Sequence, residues 1–155
     1  MSNLTLFERL VGAPLLRLHD TVYQKTNGRI GHRIPGVPPS LLLHSVGAKT
    51  GQPRTTSLTY ARDGDSYLIV ASNGGADRYP GWYHNLRKHP QCEINVGPRR
   101  LAVTARRVIP DDADYSRMWQ LVNKNNANRY AGYQRRTPRP IPIFALTPGP
   151  QSSGA

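Results

Sequence analysis

The 155-residue chain has a single cysteine, Cys92, which excludes an internal disulfide and a cysteine-based metal cluster. Its five histidines (His19, His32, His44, His84 and His89) are scattered, and only the last two are close. No H-E-x-x-H pattern occurs, so no metal site is expected. No apolar run approaches the roughly 18 residues that a membrane-spanning helix needs. The start, Met1-Ser2-Asn3-Leu4, lacks the basic leader and apolar core of a secretion signal, so a cytoplasmic location is the expectation. G-x-G-x-x-G and G-x-S-x-G are both missing, which removes support for a Rossmann nicotinamide site and a hydrolase nucleophile elbow. Lys49-Thr50 resembles the end of a phosphate-binding P-loop, but Ala48 stands where that motif requires glycine directly before the lysine. Acidic side chains are the other scarcity. Nine Asp and Glu face 21 Lys and Arg, 17 of them Arg, for a net charge of +12 and a pI near 10.6. Such a deficit favours an anionic partner: nucleic acid, lipid headgroups or a polyanionic ligand. Arg-rich composition inherited from genomic base bias is the competing account.

What is present fits one folded domain. Leu4, Phe7, Val11, Leu15, Leu18 and Val22 recur at steps of three and four, which predicts an amphipathic helix over 4–25. It reads either as a cover for a sheet or as a membrane-surface element carrying Arg9, Arg17 and Lys25. Residues 26–39 form a basic loop rich in Gly and Pro. Strands are predicted at 41–46, 55–61, 67–71, 92–96, 101–109 and 141–146. Asp63-Gly64-Asp65 and Gly97-Pro98 join two of the pairs as tight turns. Helices are predicted over 82–88, after Pro80, and over 112–124, after Asp111-Asp112. Residues 125–140 are polar, and the chain from Pro148 reads as a frayed tail. Six strands joined by short turns imply a mainly antiparallel sheet able to close into a small barrel, with helices beside it.

Three segments carry candidate chemistry. In Gly47-Ala48-Lys49-Thr50-Gly51-Gln52-Pro53-Arg54, glycines permit close approach of a ligand to backbone, and two cations flank the turn. This suits a phosphate or carboxylate, or it is a solvated basic hairpin tip. In Val70-Ala71-Ser72-Asn73-Gly74-Gly75, an apolar strand ends in hydrogen-bonding groups and flat backbone, followed by Pro80-Gly81-Trp82-Tyr83-His84-Asn85 at a helix start. Trp82 alone reads first as core packing. In Tyr130-Ala131-Gly132-Tyr133, two phenols three residues apart share one side of a helical turn, as a pocket wall or as packing. Cys92, inside an apparent strand, reads as a packed thiol.

Taken in order, these pieces resemble the deazaflavin-dependent nitroreductase family, which uses the 8-hydroxy-5-deazaflavin coenzyme F420. The resemblance rests on the G-x-K-T-G-Q-P-R turn at 47–54, Leu58-Thr59-Tyr60, Asp63-Gly64-Asp65, Ala71-Ser72-x-Gly74-Gly75, Trp82-Tyr83-x-Asn85-Leu86 and Ile141-Pro142-Ile143. It implies a six-stranded antiparallel split β-barrel related to flavin reductases and pyridoxamine-phosphate oxidases. It implies an N-terminal helix and basic loop over 1–39, a deazaflavin-binding domain over 40–147, and a flexible tail over 148–155. The implied reaction is hydride transfer from reduced F420 to a quinone, a nitroaromatic or an activated enone. Carried over by position, Ala48, Lys49, Thr50, Arg54, Thr55, Thr56, Ser57, Leu58 and Thr59 would hold the coenzyme's phosphodiester and oligoglutamate. Val70, Ala71, Ser72, Asn73, Gly81, Trp82, Tyr83, His84 and Asn85 would frame its ring. Ser72, Tyr130 and Tyr133 would face the acceptor as catalytic residues. Asn73 stands where the family often has lysine. Ala127 and Arg136 fall near a tyrosine and a tryptophan of the nitroimidazole-activating member, which makes quinone reduction the better expectation. An FMN enzyme of the same barrel superfamily and a basic nucleic-acid-binding barrel are the alternatives. No nucleic acid is expected, a membrane contact through the N-terminal segment is left open, and so is the oligomeric state.

Overall fold

The computed structural model describes residues 38–149. The helix expected over 4–25, the loop over 26–37 and the tail beyond 149 lie outside the described residues. The elements run β1 (Ser40–Val46), β2 (Pro53–Thr59), β3 (Ala61–Asp63), β4 (Ser66–Val70), a 3-10 turn (Asn73–Gly75), α1 (Gly81–Lys88), β5 (Gln91–Val96), β6 (Arg99–Val108), α2 (Tyr115–Asn125), α3 (Arg129–Gln134) and β7 (Ile143–Pro148).

All seven strands form one sheet in the order β2-β1-β5-β6-β7-β4-β3, antiparallel throughout. The sequence predicts six strands because 55–61 reads as one unbroken run. The structure divides that run at Tyr60: β2 pairs with β1 at one edge, and β3 pairs with β4 at the other. One residue therefore joins the two edges of the sheet, and the sheet must curl until they meet. The break is fixed on both sides. The Tyr60 N–H donates to Pro39 O (3.1 Å), and Asn125 Nδ2 donates to Tyr60 O (2.8 Å).

Curling creates an inside and an outside, and strand alternation sorts side chains between them. Leu41, Leu43, Tyr67, Ile69, Ile94, Leu101, Val103, Phe144 and Leu146 fill the interior, which α1 covers with Trp82, Tyr83 and Leu86. The opposite faces of β4 and β7 (Leu68, Val70, Ile143, Ala145) pack against Met118 and Val122 of α2 and Tyr130 of α3. Being buried on both faces, β4 reads as a continuous apolar run.

The turns follow the sequence. Gly64 (φ 58°) and Gly97 (φ 58°) occupy the tight hairpins β3–β4 and β5–β6. Two boundaries move. β7 begins at Ile143 rather than 141 and runs through Pro148, and the Gly149 N–H donates to Ala102 O (3.2 Å). α2 begins at Tyr115 rather than 112, because the Asp112 carboxylate accepts the Asp114 N–H (2.9 Å) and Arg106 Nη1 (2.8 Å), holding 111–114 as a turn. The polar segment 125–140 contains α3, which includes the helical turn expected at Tyr130 and Tyr133. Asn123 sets it: its Oδ1 accepts the Ala131 N–H (2.8 Å) while the chain turns through Ala127 (φ 52°) and Asn128 (φ 60°).

Candidate active site

The 47–52 turn joins β1 to β2 and closes on itself. The Gly47 N–H donates to Gln52 O (2.8 Å), the Gly51 N–H to Gly47 O (2.9 Å) and the Gln52 N–H to Thr50 Oγ1 (3.2 Å). A Cβ at Gly47 would lie 2.5 Å from Thr50 Oγ1, so a side chain there would displace the hydroxyl that accepts the Gln52 N–H. Helix α1 holds the turn from below. Asn85 Oδ1 accepts the Ala48 N–H (2.8 Å), Asn85 Nδ2 donates to Ser45 Oγ (3.2 Å), and Lys88 Nζ donates to Ala48 O (2.9 Å). Among the described residues, no hydrogen bond uses the Lys49 or Thr50 N–H.

The inner face of β2 changes character along its length. Leu58, Thr56 and Arg54 lie opposite Leu41, Leu43 and Ser45, so the strand passes from core to polar to cationic as it leaves the barrel. A cleft of about 910 Å³ opens there, lined by Gly47, Ala48, Lys49, Thr50, Arg54, Thr55, Thr56, Gly81, Trp82, His84 and Asn85. Among the described residues its lining includes Lys49 and Arg54 and no carboxylate. Thr55 points to the other face of β2, where its hydroxyl meets His44 Nδ1 (3.2 Å) and His44 Nε2 meets Asn95 Oδ1.

The cleft thus gathers Ala48, Lys49, Thr50, Arg54, Thr55, Thr56, Gly81, Trp82, His84 and Asn85 of the residues expected from sequence. Ser57, Leu58, Thr59, Val70, Ala71, Ser72, Asn73 and Tyr83 are outside its lining, as are Tyr130 and Tyr133. Tyr83 is 3% exposed and stacks on Tyr79 at 4.0 Å, and its hydroxyl accepts Arg107 Nη1 (2.8 Å). Asn85 lines the cleft, but both polar atoms of its amide serve the turn.

A second group forms around the end of β4. Ser72 is buried, Asn73 adopts φ 45° with Nδ2 donating to Arg78 O (3.0 Å), and Gly75 adopts φ 84°. A Cβ on Gly75 would lie 2.7 Å from Tyr133 O, so α3 packs directly on the 3-10 turn. Tyr133 is half-buried, with the Arg136 guanidinium 5.7 Å from its ring centroid. Tyr130 is 7% exposed in the core beneath α2, and its ring meets Tyr133 edge-on at 6.2 Å. Burial pushes the Tyr130 phenol up to about 12, so it stays protonated as a neutral donor.

Sequence reasoning missed Arg139. Its Nε donates to Ala76 O (2.8 Å), Nη1 to Ala71 O (3.3 Å), and Nη2 to Ser72 O (2.9 Å) and Arg78 O (3.2 Å), with its guanidinium 4.5 Å from the Tyr79 ring centroid. Its flanking prolines are the signal that was available. Lys88 was also missed, because its role depends on where α1 docks. Burial pushes the Cys92 thiol up to about 11, which leaves it protonated and unreactive. Among the described residues, no group of three His, Cys, Asp or Glu could hold a metal ion, and no helix is long and apolar enough to cross a membrane.

Residues 15–148 match the family described as F420H(2)-dependent quinone reductase. An F420H(2)-dependent quinone reductase of Mycobacterium tuberculosis H37Rv is 71% identical over 140 residues, 90% of this chain and 94% of that protein. The solved structure of an F420-H2 dependent reductase superposes with a TM-score of 0.63 at 32% identity, covering 70% of this chain and 93% of that one. A chain solved as a domain-swapped dimer superposes with a TM-score of 0.65 at 27% identity, covering 87% of this chain and 98% of that one.

Proposed function

The chain belongs to the F420H(2)-dependent quinone reductase family, and on that premise we propose how its residues divide the reaction: the cleft between the 47–52 turn and α1 binds the anionic tail of F420, and the Ser72–Tyr133 side receives a quinone. The observation that carries this reading is the sign of the cleft: among the described residues Lys49 and Arg54 line it together and no carboxylate does. The coenzyme's phosphodiester and oligoglutamate are the kind of partner such a cleft fits. The remaining details agree. The Lys49 and Thr50 N–H groups are not used within the turn, and glycine at 47 leaves the Thr50 hydroxyl free to accept the Gln52 N–H and brace it. Charge-assisted hydrogen bonds of this kind contribute roughly 1.5–3 kcal/mol each.

When bound, reduced F420 supplies a two-electron hydride donor. The protein needs no nucleophile and no metal of its own; it must align donor with acceptor, exclude water and provide a hydrogen-bond donor where negative charge appears. A quinone that accepts hydride becomes a hydroquinone anion, and a further proton from solvent completes the hydroquinone. The Ser72 and Tyr133 hydroxyls are the donors assigned to that oxygen. Trp82, 7% exposed and edge-on to Phe144 at 5.8 Å, gives the cleft a rigid apolar floor against which a flat ring can lie. Tyr130 supports Tyr133 from the core rather than meeting the acceptor.

The test mixes the protein with reduced F420 and a soluble menadione-type quinone and follows the return of the oxidised coenzyme's visible band. Enzyme-dependent return is expected, and its absence at any enzyme concentration refutes the reading. Lys49→Ala should weaken coenzyme binding more than it slows hydride transfer in the bound state; binding equal to wild type would remove the cleft from the account.

A further inference from the structure

We propose that Arg139 is the positioning residue of the acceptor side, fixing the loop that carries Ser72 against the helix that carries Tyr133 and placing beside Ser72 a positive charge that no carboxylate among the described residues pairs. The proposal rests on the reading that Ser72 and Tyr133 face the quinone.

One guanidinium grips both ends of the 71–79 loop. It donates to Ala71 O and Ser72 O where the loop leaves β4, and to Ala76 O and Arg78 O where it returns toward α1. The planar fork of arginine is needed for this; a lysine ammonium cannot span four carbonyls lying in different directions. The backbone of Arg139 is itself fixed. Gln134, the last residue of α3, donates through Nε2 to Arg139 O (2.8 Å) and accepts the Ile141 N–H at Oε1 (2.9 Å). Thr137 Oγ1 donates to Asp77 Oδ1 (3.2 Å), adding a second tie to the same loop. Pro138 and Pro140 flank Arg139 and restrict its neighbourhood further. The strap 134–141 therefore leaves α3 and bonds the Ser72 loop through Thr137 and Arg139 on its way to β7, so the two halves of the acceptor wall share one anchor.

The charge matters as well as the shape. Among the described residues no carboxylate forms an ion pair with Arg139; Asp77, in the loop it grips, bonds Thr137 instead. Carbonyl dipoles hydrogen-bond the guanidinium without cancelling its charge. A preorganised cation behind Ser72 favours the negative charge that develops on a quinone oxygen as hydride arrives. The coenzyme-tail cleft is held separately, by Asn85 and Lys88. Loss of Arg139 should therefore separate turnover from coenzyme affinity.

The experiment compares full-length wild type, Arg139→Ala and Arg139→Lys with reduced F420 and menadione, with coenzyme Kd measured by titration and folded fraction by circular dichroism. Arg139→Ala should keep Kd within about threefold of wild type while kcat falls about tenfold or more. Arg139→Lys, retaining charge but not the fork, should fall in between. Added guanidinium at tens of millimolar should restore part of the Ala variant's kcat, whereas methylammonium should not. A kcat within twofold of wild type overturns the proposal, as does a rise in Kd matching the loss of kcat, or equal rescue by both cations. Should Arg139→Ala fail to fold, the Lys variant decides by the same split between kcat and Kd. Failure of wild type itself to oxidise reduced F420 would instead sink the functional reading, and the role of Arg139 with it.

Discussion

Asn85 offers the sharpest test of how the cleft is built, because two substitutions separate its structural and electrostatic consequences. Its Oδ1 accepts the Ala48 N–H at 2.8 Å and its Nδ2 donates to Ser45 Oγ at 3.2 Å. Asn85→Ala removes both bonds, which at about 0.5–1.5 kcal/mol each costs about 1–3 kcal/mol. For a domain of this size that lowers Tm by about 2–12 °C. Asn85→Asp keeps the acceptor for Ala48 and loses only the donor to Ser45, so its stability loss should be the smaller. It also places a negative charge in a cleft that no carboxylate among the described residues lines. A volume of 910 Å³ corresponds to a span of about 10 Å. Coulomb's law over about 5–10 Å at an effective dielectric constant of about 40 gives about 1–2 kcal/mol of repulsion against a bound anion, or about 5–30-fold in affinity. The assay is a thermal melt beside a coenzyme titration for wild type and both variants. The expected pattern crosses over: Ala is the less stable, Asp the weaker binder, and the Asp deficit shrinks as salt is raised. An Asp variant that binds the coenzyme as tightly as wild type refutes the argument that the cleft holds the anionic tail.

Two glycines in left-handed conformations should respond differently to alanine. Gly51 (φ 70°) has open space around a new Cβ, so Gly51→Ala should cost only the backbone strain, about 1–2 kcal/mol. Gly75→Ala adds a 2.7 Å clash with Tyr133 O and should cost clearly more in urea unfolding; equal costs would mean that α3 yields easily there. Tyr133→Phe should lower turnover with coenzyme Kd within about twofold, whereas Tyr130→Phe should lower stability and leave turnover near wild type; the reverse assignment would show the acceptor wall lies on the Tyr130 side. Alkaline pH should destabilise the fold. The Cys92 thiol is pushed from 9.0 up to about 11, and the Tyr115 and Tyr130 phenols from 10.0 up to about 12, each chiefly by burial. Above pH 9 the unfolded chain releases these protons before the folded one does, so stability is lost as pH rises from 9 through 12. Urea midpoints between pH 8 and 11 measure this; a Tyr130→Phe variant that falls as steeply as wild type would remove Tyr130 from the cause.

Much of the barrel was legible because its signals are local. The hairpins at Gly64 and Gly97 declare themselves by residue type, and β6 alternates cleanly between buried Leu101, Val103 and Ala105 and exposed neighbours. The seventh strand was not legible. Nothing in Thr59-Tyr60-Ala61 breaks the β pattern; the division appears only because the closing sheet presents a different partner on each side of Tyr60. The cleft was half legible for a related reason. Gly47, Lys49 and Arg54 are neighbours in sequence and in space, so their type and spacing suffice. The Asn85 clamp joins residues 37 positions apart, and Arg139 reaches back 60 or more; a polar side chain in a loop carries no mark of the carbonyls it will find. Tyr130 and Tyr133 lie three apart on one helix and so looked equivalent. The second core beneath α2 makes them different by burying one ring and leaving the other at its edge.

The charge excess can be followed to where it goes, and the result bears on the cleft. Among the described residues acids neutralise few of the cations: Glu93 pairs with Arg100, Asp112 and Asp114 with Arg106, and Asp63 and Asp114 with Arg117. Several others meet groups that are polar or polarisable yet neutral. Arg139 and Lys88 engage backbone carbonyls, Arg107 a phenol, and Arg62 and Arg136 the faces of Tyr67 and Tyr133. Such contacts hold a guanidinium or ammonium in place without cancelling its field. Lys88 does so on the 47–52 turn itself, which adds a third cation beside Lys49 and Arg54 at the cleft. A ligand with several negative charges gains from all of these at once, and one with a single charge gains little beyond its direct contacts. Affinity should therefore rise with the number of carboxylates on the coenzyme tail and lose that dependence in high salt. A tail-length series at two ionic strengths measures this, and affinity independent of tail length would leave the surplus charge without a part in coenzyme binding.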